Sequence, residues 1–327
     1  MDSVSRRRGS LHGTITAARA DWRIPPHRTR ERMYKNLSTT GLGISGVESE
    51  LIELALTYKF GGVEPDFMEL YHRAEEKGVP YARRLIDSGK LKHGTFRVPI
   101  DWTDDARYAK DKEKLEKIAG RAAELGCTRA VTLVAPASDE RPYHENFEFH
   151  RRRLAEVAQV LMKHNVMLGL EFNALAEARA GAAFEFIKTF DELRKLASGV
   201  GVEGVGVVVD LFNWYVGGGT MDQITSLSAK QVVSVQLCDV PSDIPADKLT
   251  AKNRVLPGET GAIDSVAVVK WLTSIGYDGP VTARPDRSRF PKTGRMQIVK
   301  MVAESLDDIW TQAGLPSVKP ALMAVAG

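Results

Sequence analysis

Eight short apolar runs, alternating with longer stretches of helical periodicity, constrain this chain more than any other feature. In order they are "KNLSTTGLGI", "FGGVEPDF", "HGTFRVPIDW", "CTRAVTLVAP", "NVMLGLEFN", "GVGVVVDLFN", "VVSVQLCDV" and "GPVTARP". Between and after them lie helical patterns such as "KDKEKLEKIAGRAAELG", "HENFEFHRRRLAEVAQVLMKHN" and, last, "MQIVKMVAESLDDIWTQAG" with apolar spacing at Ile298, Val302, Leu306 and Ile309. The stretch "ELYHRAEEKGVPYARRLIDSG" reads as one charged helical segment. Runs apolar on both faces, as in "VGVVVD", belong to parallel strands covered by helices. Eight such units in one chain predict an α/β fold of the (β/α)₈ TIM barrel type, over residues 35–314, because open doubly wound sheets usually stop at five or six strands. No Gly-x-Gly-x-x-Gly follows the first run, which argues against a dinucleotide fold.

The charge is unevenly placed. Residues 1–34 hold eight arginines against Asp2, Asp21 and Glu31, so with a formal net charge of +3 the remainder is slightly acidic. Residues 1–34 are expected to be a mobile or surface-draped basic arm, and 315–327 a loosely held tail. A basic arm on an acidic body is a weaker nucleic-acid signal than a basic folded face. "SRRRGSL" resembles a twin-arginine signal, but "HGTITAARADWR" carries charges where an apolar region is required. Two distant cysteines, Cys127 and Cys238, favour a reducing compartment, and the chain reads as cytoplasmic with no membrane partner.

In such a barrel the chemistry gathers where strands end, so the last polar residue of each run is the candidate. These are Glu64, Arg97, Glu171, Asp210, Gln236 with Asp239, and Arg284. Glu171 and Asp210 each follow four or more apolar residues, and a carboxylate there requires a cation, hydrogen bonds or a metal. Glu64 could instead cap the next helix through "VEPD", and Arg97 could pair with Glu64.

"GLEFN", "VVVDLFNWYVGGGT", "VVSVQLCDVP", "RVLPGETGAID" and "GYDGPVTARPD" together resemble the sugar phosphate isomerase/epimerase group of the xylose isomerase-like barrel superfamily, over residues 35–314. The resemblance implies one divalent cation (Mn, Mg or Zn) held by Glu, Asp, His and Glu after strands five to eight, with the two glutamates as acid and base in enediolate chemistry on sugars. Glu171 matches the first ligand and Asp210 the second, but Gln236 stands for the His and Arg284 for the last Glu. Asn213 replaces a substrate-contacting histidine, and Arg254 matches an arginine that implies substrate contact.

An arginine has no lone pair to give a metal. The altered set therefore points to a degenerate, metal-free site in which Arg284 bridges Glu171 or Asp210; any residual metal would sit on Glu171, Asp210 and Gln236. The expected activity is isomerisation or elimination on a sugar or keto-sugar, with Glu171 and Arg284 catalytic and Asp210, Asn213, Gln236, Asp239, Arg254, Glu64 and Arg97 binding substrate. The alternatives are a non-catalytic sugar-binding or subunit-pairing barrel and a relative of apurinic endonucleases; a small-molecule carbohydrate is the expected partner, and the sequence is compatible with a homo-oligomer. The last is disfavoured because no histidine lies at the ends of strands five to eight, and no nucleic-acid partner is expected.

Overall fold

Each apolar run becomes a strand of one sheet: β1 (Tyr34–Leu37), β2 (Gly62–Val63), β3 (in two pieces, Lys92–His93 and Phe96–Arg97), β4 (Arg129–Leu133), β5 (Met167–Glu171), β6 (Val205–Asp210), β7 (Val232–Leu237) and β8 (Pro280–Ala283). The computed structural model describes Met1 and residues 33–316, so the expected arm before Met33 and the tail after Pro316 lie outside the described residues. The barrel starts slightly earlier than expected: Met33 is buried, its N–H donates to the Tyr277 carbonyl at 3.1 Å, and that of Tyr34 to Gly279 at 3.2 Å.

All neighbours in this sheet run parallel, with β1 pairing both β2 and β8. The two outer members of the sheet order are the two pieces of β3: Lys92–His93 pairs β2 and Phe96–Arg97 pairs β4. The curl therefore closes through the chain itself at Gly94–Thr95, and the fold is a TIM barrel. The apolar character of β6 and β7 has the predicted cause: every residue of β7 is buried, as is every residue of β6 after Val205.

A bulge in β7 aims the site. Val232 pairs with Val207 but Ser234 pairs with Val208, so Val233 is an extra residue. Val233 packs inside, where a Cβ on Gly169 would stand 2.9 Å from its own, while Gln236, three residues on, also faces inward to bond Glu171. Strict alternation would put residues 233 and 236 on opposite faces; the bulge puts both inside.

The helices form where their caps say they should. Asp66, not Glu64, caps Phe67–Lys77 by accepting from Glu69 N–H at 3.1 Å, and Asp264 caps Ser265–Ser274. The charged segment read as one helix is two, Phe67–Lys77 and Val79–Gly89, because Gly78 takes φ 84° and Pro80 follows it. Ile298, Val302, Leu306 and Ile309 of Arg295–Gln312 are all buried, as their spacing requires. No helix among the described residues is long and apolar enough to cross a membrane.

Candidate active site

Strand register brings the candidates to one level at the carboxyl end of the barrel: Asp210 is the direct neighbour of Gln236, and Gln236 of Thr282, two residues before Arg284. Glu171 ends β5 opposite Leu133. Its Oε1 accepts from the Gln236 side-chain amide at 3.0 Å, and its Oε2 faces the exposed Arg97 guanidinium at 3.4 Å. Arg97 thus pairs with Glu171, not with Glu64.

Asp210 is buried and fully engaged. Oδ1 accepts from Phe212 N–H at 3.0 Å and from Arg254 Nη1 at 2.9 Å; Oδ2 accepts from Asn213 Nδ2 and from Arg254 Nη2, both at 2.7 Å. Four donors use the four lone-pair directions that a carboxylate offers. Phe212 holds the fork in place, its ring centroid 4.3 Å from the Arg254 guanidinium carbon. Burial pushes the Asp210 carboxyl up, but the charge and hydrogen bonds of Arg254, with the charge of Arg284, outweigh it and hold the carboxyl below the ordinary aspartate range.

This overturns the expected pairing. Arg284 makes no salt bridge to Glu171 or Asp210 among the described residues; Arg254 has taken Asp210 instead. The physical reason is the loop after β7, where Asp239 and Val255 exchange backbone hydrogen bonds and carry Arg254 back over the barrel. Asp239 itself is 0% exposed and its carboxylate accepts from the N–H groups of Val240, Thr260, Gly261 and Ile263 at 2.7–3.0 Å. It shapes the "PGETG" turn and is out of reach of any substrate, a correction to its reading as a binding residue. Asn213 is likewise spent, donating to Asp210 and accepting from Ala174 N–H at 3.1 Å.

On the other side of the mouth stands Glu64. Ser38 Oγ donates to its Oε2, and Thr95 Oγ1 lies 3.3 Å from Oε1. Ser38 Oγ accepts from Gly41 N–H at 3.1 Å, which turns its hydrogen towards Glu64. Arg284 folds over Gly41, where a Cβ would come within 2.9 Å of its Nη1 and 2.7 Å of Ser38 Oγ. Burial raises the Glu64 carboxyl above the ordinary glutamate range; Arg284 and the hydroxyls offset this in part, and the charge of Glu171 adds to it. Ser38 and Thr95 were not singled out from sequence. Ser38 is the first polar residue after "NL", and the strand-end rule points to it once the first run is cut at Leu37 and not carried on to Ile44.

The donor set does not fit a divalent cation. Asp210 has no lone pair left, both Glu171 oxygens have donors, and Gln236 presents its N–H side. No cluster of three or more His, Cys, Asp or Glu suited to a metal occurs among the described residues. The five histidines described, His72, His93, His144, His150 and His164, lie on β3 or among the helices, away from the ends of β5 to β8.

The profile of the xylose isomerase-like TIM barrel family matches residues 52–308. The chain belongs to that family. Among curated members with related sequences is an inosose isomerase of Bacillus velezensis, 25% identical over 156 residues, which cover 48% of this chain and 52% of that protein. An inosose isomerase of Bacillus subtilis is 24% identical over 156 residues, 48% of this chain and 53% of that protein. The match thus spans about half the length of these family members. Among solved family structures, a xylose isomerase domain protein from Alicyclobacillus acidocaldarius superposes with a TM-score of 0.76 at 23% identity, over 86% of this chain and 99% of that one. The IolI protein, described with a bound zinc atom, superposes with a TM-score of 0.71 at 16% identity over 86% and 99%. At these identities the structural likeness is one of fold.

Proposed function

We propose that this protein is a carbohydrate isomerase-like enzyme that removes a proton beside a carbonyl of a sugar, keto-sugar or inosose, and does so without the metal of its relatives. The observation that carries the reading is the division of labour between the two arginines: Arg254 neutralises Asp210, which leaves Arg284 at the mouth without an ion pair to a carboxylate among the described residues. A guanidinium in that position can hold the charge that grows on a carbonyl oxygen during proton abstraction, the task a cation performs elsewhere. Glu171, oriented by Gln236 and Arg97, is the base. The three guanidiniums at the mouth (Arg97, Arg254, Arg284) already match the negative charge of Glu171 and Asp210, with or without a charge on Glu64, so no ion is required for charge.

The kinship with inosose isomerases supports the choice of substrate class. The test is a panel of inososes, keto-sugars and sugar phosphates in deuterated buffer, with and without chelator. Deuterium should enter the substrate at the carbon beside the carbonyl, unaffected by chelator and abolished in Glu171→Gln. Exchange that requires added manganese or zinc would overturn the metal-free mechanism. Binding of a panel member without exchange would instead favour the non-catalytic barrel.

A further inference from the structure

If Glu171 is the base and Arg284 has replaced the glutamate that the resemblance puts at the eighth strand, the site lacks a proton donor. Glu64 is placed to supply one. It stands after β2, across the mouth from Glu171, with an hydroxyl on each oxygen: Ser38 from the end of β1 and Thr95 from the break in β3. It is also one wall of a cavity of about 210 Å³ between the sheet and the helices Glu48–Thr57 and Phe67–Lys77. Its lining includes buried His93 and Thr39, Arg73 and the exposed Ser45 and Gly46. Glu64 therefore stands between the mouth, where the proposed substrate would meet Glu171, and a cavity lined in part by exposed residues.

We infer that Glu64 is the second proton-transfer group of this enzyme, donating to the substrate oxygen while Glu171 takes the proton from carbon, and exchanging its own proton with solvent through the cavity behind it. This rests on the proton-abstraction reading above. Glu171 breaks the C–H bond, its electron pair forms a C=C bond, and the carbonyl π pair moves to oxygen, which receives the Glu64 proton to give an enediol. In the second half the hydroxyl on the neighbouring carbon returns a proton to Glu64, and Glu171 delivers its proton to the former carbonyl carbon. No oxidant or further reactant is involved. A carboxyl whose surroundings raise its proton affinity, standing across the mouth from the base, is suited to act as a general acid. The affinity of Glu64 is set by its burial, the charge of Arg284, the Ser38 hydroxyl, the charge of Glu171 and the Thr95 hydroxyl, while the charged and titratable groups facing it across the cavity are His93, Asp66, Glu69 and the Arg73–Glu48 ion pair.

The test needs no substrate to begin. In full-length protein labelled with ¹³C at glutamate carboxyls, with Glu64→Gln to assign the signal, Glu64 should titrate above the ordinary glutamate range and higher still in Arg284→Met. Titration within or below the ordinary range overturns the inference. With a substrate from the panel, Glu64→Gln should lower kcat by roughly a hundredfold to ten-thousandfold at little change in KM and abolish the alkaline limb of the pH profile. If Glu171→Gln abolishes exchange while Glu64→Gln leaves kcat and the alkaline limb intact, the assignment of Glu64 alone fails. If Glu171→Gln leaves exchange intact, the proton-abstraction reading fails with it.

Discussion

At Asp210 a single side chain decides between a metal ligand and a structural anion. Removing its partner by Arg254→Met leaves a buried carboxylate without its counter-charge, which costs about 3–5 kcal/mol in such settings. Urea denaturation at neutral pH should show that loss, and adding Asp210→Asn should recover part of it. The pH dependence has a fixed sign. Because the folded carboxyl is held below its ordinary value of 3.8, the stability it lends is present above that value and lost as pH falls through the folded one. In Arg254→Met, where burial prevails, acid unfolding should begin at higher pH. Gly41 offers the opposite kind of change. Gly41→Ala would press on Arg284 Nη1 and Ser38 Oγ, the first the end of a flexible chain. Its melting temperature should fall modestly, because Ser38 Oγ is buried and hydrogen-bonded, while turnover should fall about tenfold to a hundredfold from displacement of the guanidinium and of the Ser38 hydroxyl. Unchanged turnover would remove both Arg284 and the Ser38 hydroxyl from the mechanism.

Among the elements, β7 shows what a sequence withholds. The run "VVSVQL" announces a buried strand, and its last polar residue announces a site. Nothing in it says that Val233 is an extra residue, because a bulge is defined by the partner strand, here Val207 and Val208. The same limit explains the exchange of arginines: the end of β8 was legible, whereas the route of the loop carrying Arg254 depends on contacts between Asp239 and residues 255–263. The two-helix break at Gly78 and Pro80 was legible and passed over. Glu171, Asp210 and Gln236 stood out because an ionisable or amide group after an apolar run is costly without a purpose. Gly169→Ala probes the bulge, since the new methyl would lie 2.9 Å from Val233 Cβ and 3.2 Å from Val208 Cγ2, neither at the end of a flexible chain. It should cost about 1–3 kcal/mol in chemical denaturation. A neutral result would mean the strands slide apart freely at this point.

For the whole molecule, the question is what it would take to return the barrel to a metal site. Gln236→His with Arg284→Glu restores the formal ligand set, yet Arg254 would still occupy both oxygens of Asp210. Manganese or zinc should therefore leave the melting temperature of the parent and of this double variant unchanged. The triple variant that adds Arg254→Ala should gain about 2.7 kcal/mol at a free metal concentration a hundred times its dissociation constant. Stabilisation of the unaltered protein by either metal would contradict the account given for its mouth. The barrel also has one seam. Each piece of β3 is paired on a single side, Lys92–His93 to β2 and Phe96–Arg97 to β4, with Thr95 between them touching Glu64. Hydrogen exchange should therefore be faster across residues 92–97 than in β5, β6 or β7, which are paired on both flanks. Local opening at that seam would carry Thr95 with it, so thermal breathing of the cylinder would reach one proton-bearing carboxyl before any other part of the site.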